Sequence, residues 1–151
     1  MTEAVEVRIQ RLPHAPGLPE YATAGSAGLD IAAAVAGDEP MELAPGARAL
    51  VPTGLRLAVP EGYEAQIRPR SGLALRHGLT LPNSPGTIDS DYRGELQVIV
   101  MNAGSKPVRI ERGMKIAQLV LKPVPRVAWR ECAELDATER GEGGFGSTGT
   151  G

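Results

Sequence analysis

Three observations on this sequence predict an all-β domain. Thirteen prolines and nineteen glycines punctuate 151 residues, too densely for a helical bundle but well suited to short strands joined by turns. The apolar residues between them fall in brief runs, several with strand-like alternation. Apolar residues make up 42% of the chain but aromatics only 3%, so the core has to be aliphatic, built from Val, Leu, Ile and Ala. A chain of this length suits one domain with a real core.

Each element follows in order. "VEVRIQRL" (Val5 to Leu12) alternates Val5, Val7 and Ile9 against Glu6, Arg8 and Gln10, the pattern of a half-buried strand. A long loop, "PHAPGLPEYATAGSAG", leads to "LDIAAA", where order resumes. "ARALVPTGLRLAVPEGYEAQIRPR" reads as three short β segments broken at Pro52, Gly54, Pro60 and Gly62. "SGLALRHG" has room for one or two helical turns, stopped by Gly78. "LQVIVMN" is apolar for most of its length and reads as a strand buried on both faces. "KPVRI" and "KIAQLVLKPV" follow, separated by the turn "ERGM". The end, "DATERGEGGFGSTGTG", is glycine-rich, without strand or helix pattern, and reads as a flexible tail. No internal repeat and no linker divides the chain.

Charge and composition exclude several classes. A net charge of −2, from 16 basic and 18 acidic side chains, lacks the broad basic surface of a duplex-binding protein, so no nucleic-acid partner is expected. Cys132 is the lone cysteine, which excludes an intrachain disulfide, and the isolated His14 and His77 argue against a zinc site. The start, "MTEAVEVRIQRL", is charged and alternating rather than a signal peptide, and no apolar run approaches the roughly 20 residues of a membrane span. A soluble, cytoplasmic domain with no membrane partner is expected.

Polar clusters sit at the loops. Asp30, in "AGLDI", lies where a loop enters a strand. "RPRSGLA" offers Arg68, Arg70 and Ser71. Ser71 is placed to cap the following turn, which makes either an anion site with free amides or a plain capped turn beside a solvated arginine. No "GxSxG" elbow and no neighbouring histidine make Ser71 a nucleophile, so its expected role is to donate a hydrogen bond. In "LPNSPGTIDSDYRGEL", Asn83, Ser84, Pro85 and Gly86 form a bend, and Asn83 carries the donors and acceptor that read an amide-like heterocycle edge. Asp89 and Asp91 share a face if extended, as general base and electrostatic support, or else are acids at a polar hairpin tip facing water. Gln118 stands alone among strand formers, as structural glue or as a ligand contact. Trp129 and Cys132 read as edge packing, Lys106 and Arg109 as solvated strand charges. Arg140, Phe145, Ser147 and Thr148 give the tail a cation, a stacking face and two hydroxyls, a set that suits closure over an anionic aromatic ligand. The phosphate-binding loops of common nucleotide folds are absent. The sum points to a phosphorylated small molecule.

In this order, "AGLDI", "RPRSGLA", "GTIDSDYRGEL", "KIAQLVL" and "RGEGGFGSTG" resemble the motifs of the trimeric deoxyuridine triphosphate nucleotidohydrolases, the dUTPases, across about Val5 to Gly149. The resemblance implies a jelly-roll-like β barrel over residues 1–135, a homotrimer with active sites at subunit boundaries, and a tail over residues 136–151 that closes the site. It implies hydrolysis of dUTP to dUMP and pyrophosphate, with Mg²⁺ as cofactor. Asp89 matches the acid that orients and activates the attacking water, and Asn83 the amide that reads uracil, with Thr87 and Ile88 in the hairpin assisting. Tyr92 matches the ring beneath the deoxyribose that leaves no room for a 2′-hydroxyl. Arg70, Ser71 and Gln118 match phosphate contacts, with Gly72 beside them. Arg140, Phe145, Gly146, Ser147 and Thr148 match the closing tail, Phe145 stacking on the base. Asp30 matches a residue that reaches magnesium through water.

One departure is Lys115, where an arginine is common; at a strand edge the change is expected to matter little. The nearest rival is the dCTP deaminase branch of the same fold, which carries a catalytic glutamate at the position that corresponds here to Ile99. Without that acid, deamination is not expected. A non-catalytic regulatory member would be expected to lose Asp89 or the tail, and a purely structural jelly roll would not need Asn83 and Tyr92.

Overall fold

The computed structural model describes residues 3–151. Eleven strands and one short helix make three antiparallel sheets among them. The first sheet orders β1 (Arg8–Arg11), β5 (Arg48–Ala58), β9 (Glu95–Asn102) and β7 (Leu79–Thr80). The second, of five strands, orders β2 (Glu20–Tyr21), β3 (Leu29–Ala32), β11 (Lys115–Pro123), β6 (Tyr63–Arg68) and β8 (Gly86–Ile88). The third pairs β10 (Val108–Ile110) with β4 (Met41–Leu43). The ladders do not join into one continuous sheet. The jelly-roll-like β architecture is as expected, and no helix is long and apolar enough to cross a membrane.

The core is the aliphatic one that composition demands. Ile31, Val51, Leu55, Ile67, Leu96, Val98, Val100, Ile110 and Ile116 are buried together, and the aromatic against them, Tyr63, is only partly buried. Helix α1 (Ser71–His77) ends as expected: Gly78 takes a left-handed φ of 67° and its amide bonds back to Leu73 and Ala74.

Four local expectations need correction. The first strand begins at Arg8 rather than Val5 and is exposed along its length, because it is the edge of its sheet with no layer over its outer face. The span read as three β segments is two strands, since β5 runs unbroken through Pro52 and Gly54. Its register steps from Pro52 opposite Gln97 to Leu55 opposite Leu96, so Thr53 and Gly54 form a bulge. β9 is buried on one face only: Leu96, Val98 and Val100 point inward, whereas Gln97 is exposed and Ile99 and Met101 are half-covered, there being no second layer within one chain. Trp129 is 92% exposed and Cys132 is exposed too, because the last strand ends at Pro123 and every residue from 125 to 142 is exposed.

The bulge is held by a side chain the sequence did not single out. Thr53 is fully buried, donates its hydroxyl to the Leu96 carbonyl and accepts from the Leu55 amide at 3.2 Å, replacing the ladder bonds that the bulge interrupts. Gly54 has a φ of +72°, and a Cβ there would fall 2.5 Å from the Ala15 Cα, so a side chain is doubly excluded. The other buried polar residue, Asn102, donates to the Leu43 and Lys106 carbonyls and accepts from the Gly104 amide, tying β9 to the two-stranded sheet. Thr53→Val keeps the shape but strands a buried carbonyl and amide. It should lower the unfolding free energy by about 1–3 kcal/mol, read from the urea midpoint at unchanged slope; a stability equal to the parent's would show that the hydroxyl bonds contribute nothing.

Candidate active site

The central strand of the five-stranded sheet organises the first part of the site. Gln118 on β11 lies opposite Asp30 of β3 on one side and Arg68 of β6 on the other, so segments far apart in sequence arrive side by side. Its Nε2 donates to the Pro69 carbonyl at 2.9 Å, which fixes the chain just before α1. Its other side is pressed against Gly28, where a Cβ would stand 2.5 Å from the Gln118 Oε1 and 3.2 Å from its Cβ. Gln118 is thus at least structural glue, and its place beside Asp30 and Arg70 keeps it available to a ligand.

Around it opens a cleft of about 390 Å³, lined by Asp30, Arg70, Ser71, Gly72, Arg76 and Gln118 among others. The Asp30 carboxylate is 15% exposed and meets the Arg70 Nε at 3.2 Å and the Lys115 Nζ at 3.5 Å. Arg70 also donates through Nη1 to the Lys115 carbonyl at 3.1 Å, so its guanidinium is oriented at two points. One carboxylate paired with Arg70 and Lys115, with Arg76 also on the cleft wall, leaves surplus positive charge there, which favours an anion. Lys115 therefore adds its charge beside the cleft through Asp30. Ser71 differs from expectation: it is the first residue of the helix rather than its cap. The capping position is Arg70, and no side chain caps the helix. Ser71 is exposed on the cleft wall.

A second cluster forms on β8 and the turn after it. Gly86 pairs with Ile67 and Ile88 with Ala65, which sends Asp89 toward the start of β6 and the Asn83–Pro85 bend toward its end. Asn83 is exposed, with its Nδ2 3.2 Å from where a Gly86 Cβ would be, so its side chain lies close over Gly86. The Tyr92 amide bonds to the Asp89 carbonyl at 3.2 Å, and Arg93 donates to the Ser90 and Tyr92 carbonyls at 2.7 and 3.0 Å. Arg93, to which the sequence assigned nothing, holds the turn that carries both aspartates. Thr87, Asp89 and Asp91 line a wide groove of about 1040 Å³, and the half-buried Ile88 sits between the first two.

No residue lines both the cleft and the groove. They lie at opposite ends of β6, a separation of roughly 20 Å at the usual rise of a strand. The tail touches neither: the Arg140 Nε bonds to the Gly143 carbonyl at 2.7 Å, and the turns that follow leave Phe145 fully exposed at a φ of 52°, with Gly146, Ser147 and Thr148 beyond it. Within one chain Asp30, Arg70, Ser71 and Gln118 at the cleft, Thr87 and Asp89 at the groove, and the tail residues from Arg140 thus form three separate groups, while Asn83 and Tyr92 line neither depression. No cluster of three or more His, Cys, Asp or Glu able to hold a metal occurs among the described residues.

The family profile described as dUTPase matches residues 16–149. The deoxyuridine 5′-triphosphate nucleotidohydrolase of Rhizobium meliloti (strain 1021) is 58% identical over 142 residues, covering 93% of this chain and 89% of that protein. A Staphylococcus bacteriophage 80alpha dUTPase variant with dUpNHpp superposes with a TM-score of 0.87 at 27% identity, over 97% of this chain and 100% of that one. A phage phi11 dUTPase variant, whose structure describes a structural Mg(II) ion, shares the fold at a TM-score of 0.78 and 24% identity, over 88% of this chain and 100% of that one. A jelly-roll fold with a cationic cleft and these likenesses defines an enzyme of the nucleotidohydrolase class. More narrowly, the chain belongs to the dUTPase family.

The packing of Gln118 against Gly28 gives a direct test of the cleft. Gly28→Ala should push Gln118 off the Pro69 carbonyl and weaken dUpNHpp binding about tenfold by calorimetry, since a misplaced contact in a preformed polar site is costly. Unchanged affinity would show that Gln118 moves aside freely and does not set the cleft.

Proposed function

We propose that this protein is a dUTP diphosphatase that hydrolyses dUTP to dUMP and pyrophosphate in the cytoplasm, limiting uracil incorporation into DNA and supplying dUMP for dTMP synthesis. The observation that carries this reading is the convergence of Asp30, Arg70, Ser71 and Gln118, from three of the motif segments, on one cationic cleft. Such a cleft suits the triphosphate, which carries about four negative charges.

In this reading Arg70, Ser71, the backbone at Gly72, and Gln118 hold the phosphate chain. Asn83 reads the uracil edge, with Thr87 and Ile88 supplying backbone groups, and Tyr92 lies beneath the deoxyribose. Asp89 aligns a water for attack on the α-phosphorus. Aspartate is a weak base, so Asp89 takes the proton late, as the bond from the α-phosphorus to the bridging oxygen breaks and pyrophosphate leaves. Arg70 and Arg140 offset the charge that grows on the phosphoryl oxygens. Residues 136–151 then close over the site, with Phe145 on the base and Gly146, Ser147 and Thr148 at the phosphates.

The residues present suit a Mg²⁺ ion that arrives on the ligand. Asp30 is a single part-buried carboxylate, and this cation is commonly held by one or two carboxylates together with substrate phosphates while keeping several waters. Bound in this way, Mg²⁺ supplies charge neutralisation along the triphosphate. Asp30 would accept hydrogen bonds from its waters through lone pairs that Arg70 and Lys115 leave free.

The separation of groove, cleft and tail supports a homotrimer in which each site draws on several subunits. Two inactive proteins, one with Asp89→Asn and one truncated before Arg140, should regain activity when co-expressed. With the hairpin and tail of each site from different chains, about three quarters of trimers are mixed and about one quarter of all sites are complete. Mixed trimers without activity would refute the shared site. Separately, Asp89→Asn alone should lower kcat by roughly two orders of magnitude with little change in dUpNHpp affinity; near-normal kcat would transfer the role, first to Asp91.

A further inference from the structure

Tyr92 is 44% exposed and stands on a turn, so its ring direction is not fixed by burial. Two contacts fix it instead. Its ring lies across Gly94, where any Cβ would collide with the phenol, and its hydroxyl donates to the Glu95 carbonyl at 2.9 Å. Glu95 is the first residue of β9, and its carboxylate, 18% exposed, meets the His14 Nε2 at 2.7 Å. His14 comes from the long loop after β1, far from the hairpin in sequence.

That loop is itself anchored. The Leu12 amide donates to the Gly54 carbonyl at 2.7 Å, the Ala15 backbone fills the space left by Gly54, and the Arg112 Nη1 donates to the His14 carbonyl at 2.9 Å. His14 is thus a fixed point on which the end of β9 is held. We infer that His14 and Glu95 are positioning residues for Tyr92 and, through it, set the preference for deoxyribose over ribose. This rests on the proposed role of Tyr92 beneath the sugar. A ring that excludes one oxygen atom must be placed to within a fraction of an ångström, and the hydrogen bond between His14 and Glu95 supplies that placement from outside the hairpin.

The test uses full-length protein carrying fluorotyrosine, whose three signals come from Tyr21, Tyr63 and Tyr92. His14→Leu should shift the Tyr92 signal and lower the ratio of kcat/KM for dUTP over UTP about threefold to tenfold, the scale of one hydrogen bond. His14→Gln, which can still donate to Glu95, should restore both. In a Tyr92→Phe background, where the hydroxyl link is gone, His14→Leu should have no further effect on the ratio. A Tyr92 signal that ignores His14→Leu, or an equal effect of His14→Leu in both backgrounds, would overturn the inference. Should His14→Leu fail to fold, Glu95→Ala carries the same test, because it removes the carboxylate that meets His14 and keeps the backbone carbonyl that Tyr92 uses. Tyr92→Ala separates the two levels: a sugar preference unchanged by it removes the proposed role of Tyr92, while the fluorine signal still decides whether His14 positions the ring.

Discussion

The bulge in β5 is the constraint on which most of the molecule depends. Two extra residues in one strand would normally leave a gap in the ladder, and the Thr53 hydroxyl fills it with one donated and one accepted bond. The carbonyls that the distortion turns outward are then used by other segments. Pro52 receives the Ala34 amide, just beyond β3, and Gly54 receives the Leu12 amide of the long first loop. Asp30 on β3 and His14 in that loop are therefore both referred to the same two-residue irregularity. A buried, fully paired polar feature of this kind specifies one arrangement at the cost of being intolerant to change.

The cleft shows how charge is kept ready without a ligand. Two cations left alone at Arg70 and Lys115 would repel one another, and Asp30 stands between them as an internal counter-ion. Both cations are more than a third exposed, so the pairs add little to stability. Their value lies in orientation. In the proposed reading, an arriving phosphate would meet a guanidinium whose direction is already set by Asp30 and by the Lys115 carbonyl, and less side-chain freedom would be lost on binding.

The sequence was most legible where chemistry is local. Apolar runs between turn residues indicated most of the long strands, Gly78 marked the helix end, and the order of the motif segments indicated the family. It failed where a distant partner decides. Pro52 and Gly54 look like breaks because nothing near them shows that Leu96 will accept from Thr53. Ser71 looks like a cap, since a serine before an apolar run usually is, yet Arg70 takes that position and leaves the serine on the cleft wall. His14 reads as isolated because its partner, Glu95, is 81 residues away. Lys115 reads as a strand-edge charge until β3 is placed beside it. Apart from Ser71, each miss is a side chain whose meaning comes from a partner distant in sequence rather than from its neighbours in the chain.

The long exposed segment after the last strand bears on how the protein must be handled. Arg126, Arg130 and Arg140 all lie in chain that no ladder protects, whereas the arginines of the sheets are held in paired backbone. Trypsin-like proteases act where backbone can be drawn out of the surface, so these bonds are cleaved first. A molecule cut after Arg140 keeps every strand, its whole aliphatic core and both surface depressions. Its circular dichroism and melting behaviour should match those of the intact chain, since the removed residues form no strand and no part of the core. Intact mass, rather than any measure of folding, is therefore the measurement that tells a complete preparation from a clipped one.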